Sequence, residues 1–328
     1  ATILPKLLAL TGPIEMEGYG KIITQENVVL ETQKAVELEY DREKNTPKAF
    51  IGDLNREVLA RLRALPLQRL PDVLQLAATS LETKEIQVWF AKETEQAAAK
   101  QFGWTGEWPV ADAFDSLAIV GANIAGQKSD AVVEEEVFQN VVIDTRGSVS
   151  ERVLLAREHR GERGTLFYGA NNVQYVRAYV PAGSVFTSLE GTEDPAPGLF
   201  EEITEKEEPF PGLTTTTEKQ FGDVTRADVG TDLGREALGA WVQVRPGMTR
   251  ETAISYTIPR TTGDMAQAFF ADSPAEQGIS DAYVLRIQSQ SGAPRAHSVR
   301  IQYPPAWKPV RLSEGMRSIS PGVLEWKV

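Results

Sequence analysis

The sequence predicts an α+β protein: a mixed α/β head over residues 1–103, followed by mostly antiparallel, immunoglobulin-like β-sandwich domains. Three observations carry this expectation. Apolar residues recur at helical spacing before residue 103 and mostly at period two after residue 115. Gly, Pro and Asn turns punctuate the second region at strand-length intervals. A length of 328 residues suits two or three domains better than one. The expected division is a head at 1–103, a sandwich at 110–260 and a second, smaller β domain at 261–328.

In the head, Ile3, Leu4, Leu7 and Leu8 share helical spacing, and Gly12-Pro13 stops that helix. Glu17-Gly18 separates two short apolar segments, as the turn of a hairpin does. Thr24 stands where an N-cap is needed for a helix reaching Tyr40. After Pro47, Ile51, Leu54, Val58, Leu62 and Leu65 form one stripe, with the first four as the expected buried face. Pro71 suits the first turn of a further helix through Leu81. Ile86, Val88 and Phe90 alternate as a half-buried strand, and a last short helix covers 94–102.

Beyond a linker at 104–109 the grammar is that of strands. Val132, Val137, Val141 and Ile143 lead into a turn at 145–148, and Val149, Val153 and Leu155 return, which predicts a hairpin over 130–158 turning near Gly147. Further strands are expected near 174–180, 237–245, 252–258, 282–288, 297–303 and 323–328. The segment 191–217, with four prolines and seven acidic residues, reads as a long surface loop.

Composition narrows the function. A formal charge of −12 argues against nucleic acid, because a phosphate-binding surface needs concentrated Lys and Arg. No apolar run approaches the roughly 18 residues that cross a bilayer; Leu117-Ala118-Ile119-Val120 stops at Gly121. Zero cysteines removes disulfides, thiolate metal sites and cysteine nucleophiles. No basic, apolar leader opens the sequence, so a signal peptide is expected outside it.

No constellation of reactive groups stands out, so no catalytic residue, cofactor or metal ligand is assigned. His159 and His297 lie on different segments without carboxylates at local spacing, and read as strand-end surface residues. The loop from Gly121 to Gly126 leads toward a strand rather than a helix, so it is a turn and not a phosphate cradle. Glu134-Glu135-Glu136 reads as a solvated strand face. Arg152, Arg157 and Arg160, with Arg163 nearby, are the candidate contacts for an anionic glycan or phosphate. The commoner arrangement pairs them with Glu151, Glu158 and Glu162 on an exposed edge, where charge also discourages strand-to-strand aggregation.

Three short segments point to a family. They are Leu10-Thr11-Gly12-Pro13-Ile14 with Glu17-Gly18-Tyr19-Gly20, then Ala118-Ile119-Val120-Gly121-Ala122-Asn123 with Lys128-Ser129-Asp130, and the run from Tyr175 to Ser184. Together they resemble the bacterial envelope proteins grouped as domain of unknown function 4012, over about residues 3–190, with weaker similarity at Gly239-Ala240-Trp241 and Tyr256-Thr257-Ile258-Pro259. The resemblance implies an extracytoplasmic, cell-surface or secreted location, with a membrane tether upstream of this chain. It also implies an upstream portion distantly similar to LytR-CpsA-Psr glycopolymer transferases, from which no catalytic residue maps here. The head, beginning at Ala1 without the strand that precedes this helix in the relatives, is expected to be incomplete. The leading expectation is therefore a non-enzymatic envelope module, structural, adhesive or self-assembling. It would associate with itself or with another envelope segment. The alternative is an accessory protein or transferase acting on cell-wall glycopolymers, with the three arginines holding the glycan.

Overall fold

The computed structural model describes residues 3–108, 115–200, 216–222, 225–258 and 283–327. Ala1, residues 201–215 of the expected loop at 191–217 and the start of the expected C-terminal domain lie outside them. The chain forms two compact units, one of residues 1–108 with 291–293 and the other of the remainder.

The first unit contains α1 (Ile3–Thr11), β1 (Ile14–Met16), β2 (Lys21–Ile23), α2 (Val28–Glu37), α3 (Ala49–Arg63), α4 (Leu70–Glu82) and α5 (Glu93–Gln101). β1 and β2 pair antiparallel with Ile14 opposite Ile23, so the hairpin is present. Its apolar side chains join Leu8, Val28, Ala35, Phe50, Leu54 and Val58 in one small core. Tyr19 meets Phe50 edge-on at 4.9 Å and donates its hydroxyl to Asp53 at 2.6 Å, tying the hairpin to α3.

Three expectations for this unit need correction. α2 begins four residues after Thr24: the Thr24 carbonyl accepts from Val28 at 3.0 Å, while the Thr24 N–H donates to the Asn27 side chain. The buried face of α3 is rotated from the expected stripe, since Phe50 is 2 % exposed and Ile51 is 42 % exposed. Leu62 is only partly buried. Residues 86–90 form no strand, because a strand needs a neighbour and the Val88 N–H finds only the Trp104 carbonyl.

The second unit holds β3 (Asp115–Asn123), β4 (Val133–Ile143), β5 (Val149–His159), β6 (Asn172–Val180), β7 (Val185–Glu190), β8 (Thr217–Phe221), β9 (Thr225–Asp232), β10 (Arg235–Val244), β11 (Thr249–Ile258), β12 (Leu285–Gln288), β13 (Ala296–Gln302), β14 (Arg317–Ser320) and β15 (Val323–Lys327). Six strands form one sheet in the order β12-β3-β6-β10-β9-β8. Seven form the other, β14-β15-β13-β4-β5-β11-β7. Leu117, Ile119, Val176 and Leu238 from the first sheet share a hydrophobic core with Val137, Val153, Leu155 and Ile254 from the second. Most pairings are antiparallel, as expected, and β4–β5 is the predicted hairpin with Gly147 at φ 82° in its turn.

The two-domain division of the β region is also corrected. β12 pairs parallel with β3 and β13 parallel with β4, so the C-terminal strands complete both sheets instead of building a separate domain. The loop from Gly121 to Gly126 runs into a four-residue 3-10 turn and then β4, in keeping with the turn reading.

The rotated face of α3 has a direct consequence. Leu54→Ala should cost about 2–5 kcal/mol, as for a truncated core leucine. Ile51→Ala should stay within about 0.5 kcal/mol, the usual surface range. Urea unfolding of both variants measures the difference.

Candidate functional site

Side chains alternate across a strand, so parity decides what each residue of β5 can do. Glu151, Val153, Leu155, Arg157 and His159 face inward, whereas Arg152 and Glu158 face solvent. The three arginines therefore do not converge on one site. Arg152 grips Glu190 with two hydrogen bonds at 2.9 and 3.2 Å, and Arg160 pairs with Glu134 at 2.6 Å and Glu158 at 3.3 Å. Arg157 is interior, bound to Glu135 at 2.8 Å and to the Asn172 side chain. The expected anionic-glycan contact is thus dismantled, because each guanidinium already has a carboxylate and one has no access to solvent.

Glu135 departs from the solvated-face reading as well. Burial alone would raise its carboxyl, yet Arg295 at 2.5 Å and Arg157 together hold it below the usual range. Both histidines are interior rather than at the surface. His159 accepts at Nδ1 from the Gly161 N–H and donates from Nε2 to the Ala170 carbonyl, which fixes its tautomer. His297 is lowered to about 4 by desolvation, helped by the charge of Arg295.

His297 opens onto a buried polar chain that runs between the sheets. Its ring meets the Gln139 Oε1 at 3.0 Å, and Gln139 Nε2 donates to Glu151 at 2.5 Å. Tyr256 donates to the same Glu151 oxygen at 2.8 Å, and Tyr283 donates to Asp115. Desolvation, then the neighbouring Asp115 charge, push the Glu151 carboxyl well above its ordinary range. Among the described residues, no group of three or more His, Asp or Glu side chains is placed to hold a metal ion.

The opposite face of the six-stranded sheet carries different chemistry. Val176, Ala178, Leu238, Ala240 and Ala227 face the core, so Tyr175, Arg177, Gly239, Trp241 and Asp228 lie on the outer side. Tyr175 stands opposite Trp241, with the rings edge-to-face at 5.1 Å, and Phe200 stacks on Trp241 at 5.3 Å. The Arg177 guanidinium sits 5.6 Å from the Tyr175 ring centre. Tyr175 donates to Asp228 at 2.5 Å and Tyr179 to Asp232 at 3.1 Å. The segment carrying Phe200 is pinned by the Glu193 N–H on the Trp241 carbonyl, by Gln243 on the Asp194 carbonyl and by the Glu193–Arg245 ion pair. A side chain at Gly239 would collide with Tyr175, whose ring and hydroxyl cover this glycine on the way to Asp228.

No protein-family model matches the chain. No curated protein matches it in sequence. Solved structures align with parts of it at low similarity. An M1 zinc metallopeptidase from Deinococcus radiodurans aligns over 60% of this chain and 38% of its own, at 11% identity and a TM-score of 0.26. A putative nutrient binding protein from Legionella pneumophila aligns over 65% and 66%, at 12% identity and 0.31. Yeast LTA4 hydrolase in complex with bestatin aligns over 60% and 26%, at 7% identity and 0.29. The chain thus spans little more than a third of the peptidase it aligns with.

The expectation of a non-enzymatic module is corrected by these neighbours, two of which are enzymes by name. Strand-rich grammar without a catalytic motif does not separate a structural module from part of an enzyme. At such TM-scores none of the three brings an activity, a metal or a substrate to this chain.

Two outcomes follow from the interior ion pairs and the lowered histidine. Glu135→Gln should destabilise by about 3–5 kcal/mol, since it leaves two interior guanidiniums without their carboxylate. Arg152→Ala and Arg160→Ala should change stability by no more than about 1 kcal/mol, the range of exposed pairs. For His297 the folded state favours the neutral ring, so its contribution is complete above pH 6.5 and is lost as pH falls toward 4. His297→Gln should flatten the acid limb of the stability profile across that window, by at most about 3 kcal/mol. Denaturant titrations at half-unit pH steps read both.

Proposed function

We propose that this chain is an extracytoplasmic envelope protein whose β unit holds a neutral cell-wall glycan on the outer face of its six-stranded sheet, as the substrate-handling part of glycopolymer processing. The observation that carries the reading is the ring cluster of Tyr175, Trp241 and Phe200, set beside Arg177, Asp228 and Asp232. A sugar ring presents apolar C–H groups on its faces and hydroxyls around its edge. Aromatic surface suits the first, and fixed carboxylates with a guanidinium suit the second.

Charge selects among envelope glycans. Asp228 and Asp232 lie beside the rings with Arg177, Glu193 is met by Arg245 and Arg250, and the whole chain is at −12. A phosphate-bearing polymer meets repulsion here, whereas a neutral one with hydroxyl and amide groups does not. This reverses the polarity expected from Arg152, Arg157 and Arg160. The location outside the cytoplasm and the kinship with the envelope family rest on the resemblance of the three sequence segments. An immunoglobulin-like classification of the β unit belongs to the same reading, supported by its two mostly antiparallel sheets over one core.

The test is calorimetric titration with a neutral, β-1,4-linked N-acetylhexosamine oligosaccharide and, in parallel, with polyglycerol phosphate. The neutral oligosaccharide should bind, and Trp241→Ala should weaken it about tenfold, in line with about 1.5 kcal/mol for a lost ring contact. Arg152→Ala should leave binding unchanged. Preference for the polyphosphate, or equal affinity in Trp241→Ala with its fold intact by urea melting, would overturn the proposal.

A further inference from the structure

The interior carboxyl pair is not used by the glycan reading and stands independently of it. Asp115 opens β3 in the six-stranded sheet, and Glu151 lies in β5 of the seven-stranded sheet, at 2 % and 3 % exposure. One oxygen of each carboxyl is satisfied: Glu151 Oε2 accepts from Gln139 and Tyr256, and Asp115 Oδ2 accepts from Tyr283. The other oxygens, Glu151 Oε1 and Asp115 Oδ1, are fully buried and meet no donor. The two carboxyls are neighbours, and the Asp115 charge acts on Glu151.

Among the described residues, no cation is paired with either carboxyl. His297, from β13, donates to Gln139 rather than to either carboxyl. Arg235, from β10, bonds the Ser116 hydroxyl beside Asp115. Tyr256 from β11 and Tyr283 ahead of β12 are neutral donors, and burial together with the Glu151 charge pushes the Tyr256 phenol up, so it does not ionise in the carboxyls' place. Two ionised carboxylates in contact inside a dry core would be strongly unfavourable. A proton between them supplies the missing donor and removes one charge in the same step, as in other carboxyl dyads.

We propose that Glu151 holds a proton and donates it to Asp115, that this hydrogen bond joins the two sheets, and that loss of the proton to solvent as pH rises loosens the β unit. The direction is set by linkage. The folded state binds a proton that the unfolded chain releases near ordinary carboxylate pH, so stability from this pair is complete in acid and is lost as pH rises. The sign is opposite to that of His297, whose window closes by pH 6.5, so the two separate cleanly above neutrality.

The full chain is examined by infrared difference spectroscopy and by denaturant unfolding between pH 7 and 9, beside Glu151→Gln. Wild type should show a protonated-carboxyl band at pH 7 that disappears on alkalinisation, and its unfolding constant should rise by up to about tenfold per pH unit. Glu151→Gln should lack both the band and the slope, because an amide can donate to Asp115 without titrating. Absence of the band in wild type, or equal slopes in the two proteins, would overturn the proposal. Calcium chloride restoring stability at pH 9 would also overturn it, since the pair would then be a cation site. If Glu151→Gln does not fold, the wild-type band and its pH dependence still decide.

Discussion

The register of β4 against β5 is the constraint on which the rest of the β unit depends. Eleven residue pairs run from Val133 opposite His159 to Ile143 opposite Val149. β13 attaches to one flank of this ladder and β11 to the other, so five further strands take their place from it directly or through these two. The turn sets the register. Asp144 accepts from the Arg146 and Ser148 N–H groups at 2.7 and 2.9 Å, and Gly147 adopts φ 82°, a backbone conformation that disfavours other residues. A slip of one residue would turn Val153 and Leu155 outward and drive Arg152 into the core. The apolar pattern and the turn therefore enforce one another.

That ladder also explains which parts of the site were legible in the sequence. The hairpin followed from period-two spacing and a Gly turn, both local. The same parity places Glu151, Arg157 and His159 on the side of Val153, and Arg152 on the other, so grouping the arginines by nearness in sequence mixed two faces. The partners of Glu151 were not legible: Asp115 lies on another sheet, and Tyr256 is 105 residues away. The outer aromatic cluster was hidden for the same reason, because Tyr175 and Trp241 meet only through the β6–β10 pairing. In the head, Phe50 and Ile51 are adjacent apolar residues at the start of α3, and Phe50 packs inward with Leu54 and Val58, against Tyr19.

The domain count failed on topology rather than on strand recognition. β12 and β13 were expected near their observed places, but their partners are β3 and β4 at the other end of the unit. Parallel pairing across such a separation has no hairpin turn to advertise it, and length alone favoured a separate domain. Arg295, just before β13, donates to the Ile119 carbonyl and to Glu135, so the returning chain brings the charge that completes a site begun in β4. A folded 110–260 fragment would lack that charge and four strands of its sheets, β12 to β15.

Two interior glutamates show how one fold handles buried acid in opposite ways. Glu135 keeps its charge because Arg157 and Arg295 supply two guanidiniums, and Asn172 in turn holds Arg157 in place. Glu151 meets an amide, one phenol and another carboxyl, none of which is positive. The first solution rests on paired charges, which hold the Glu135 carboxyl below its usual range. The second depends on a proton and is therefore conditional. Their placement makes the difference matter: Glu135 joins β4 to the returning C-terminal chain, whereas Glu151 faces β3, which pairs with β6 from Ala118 opposite Tyr179 to Asn123 opposite Gln174. β6 carries Tyr175 and Arg177 on its outer side. β3 thus links Glu151 to the strand that presents the aromatic cluster, while Glu135 ties β4 to the returning chain through Arg295.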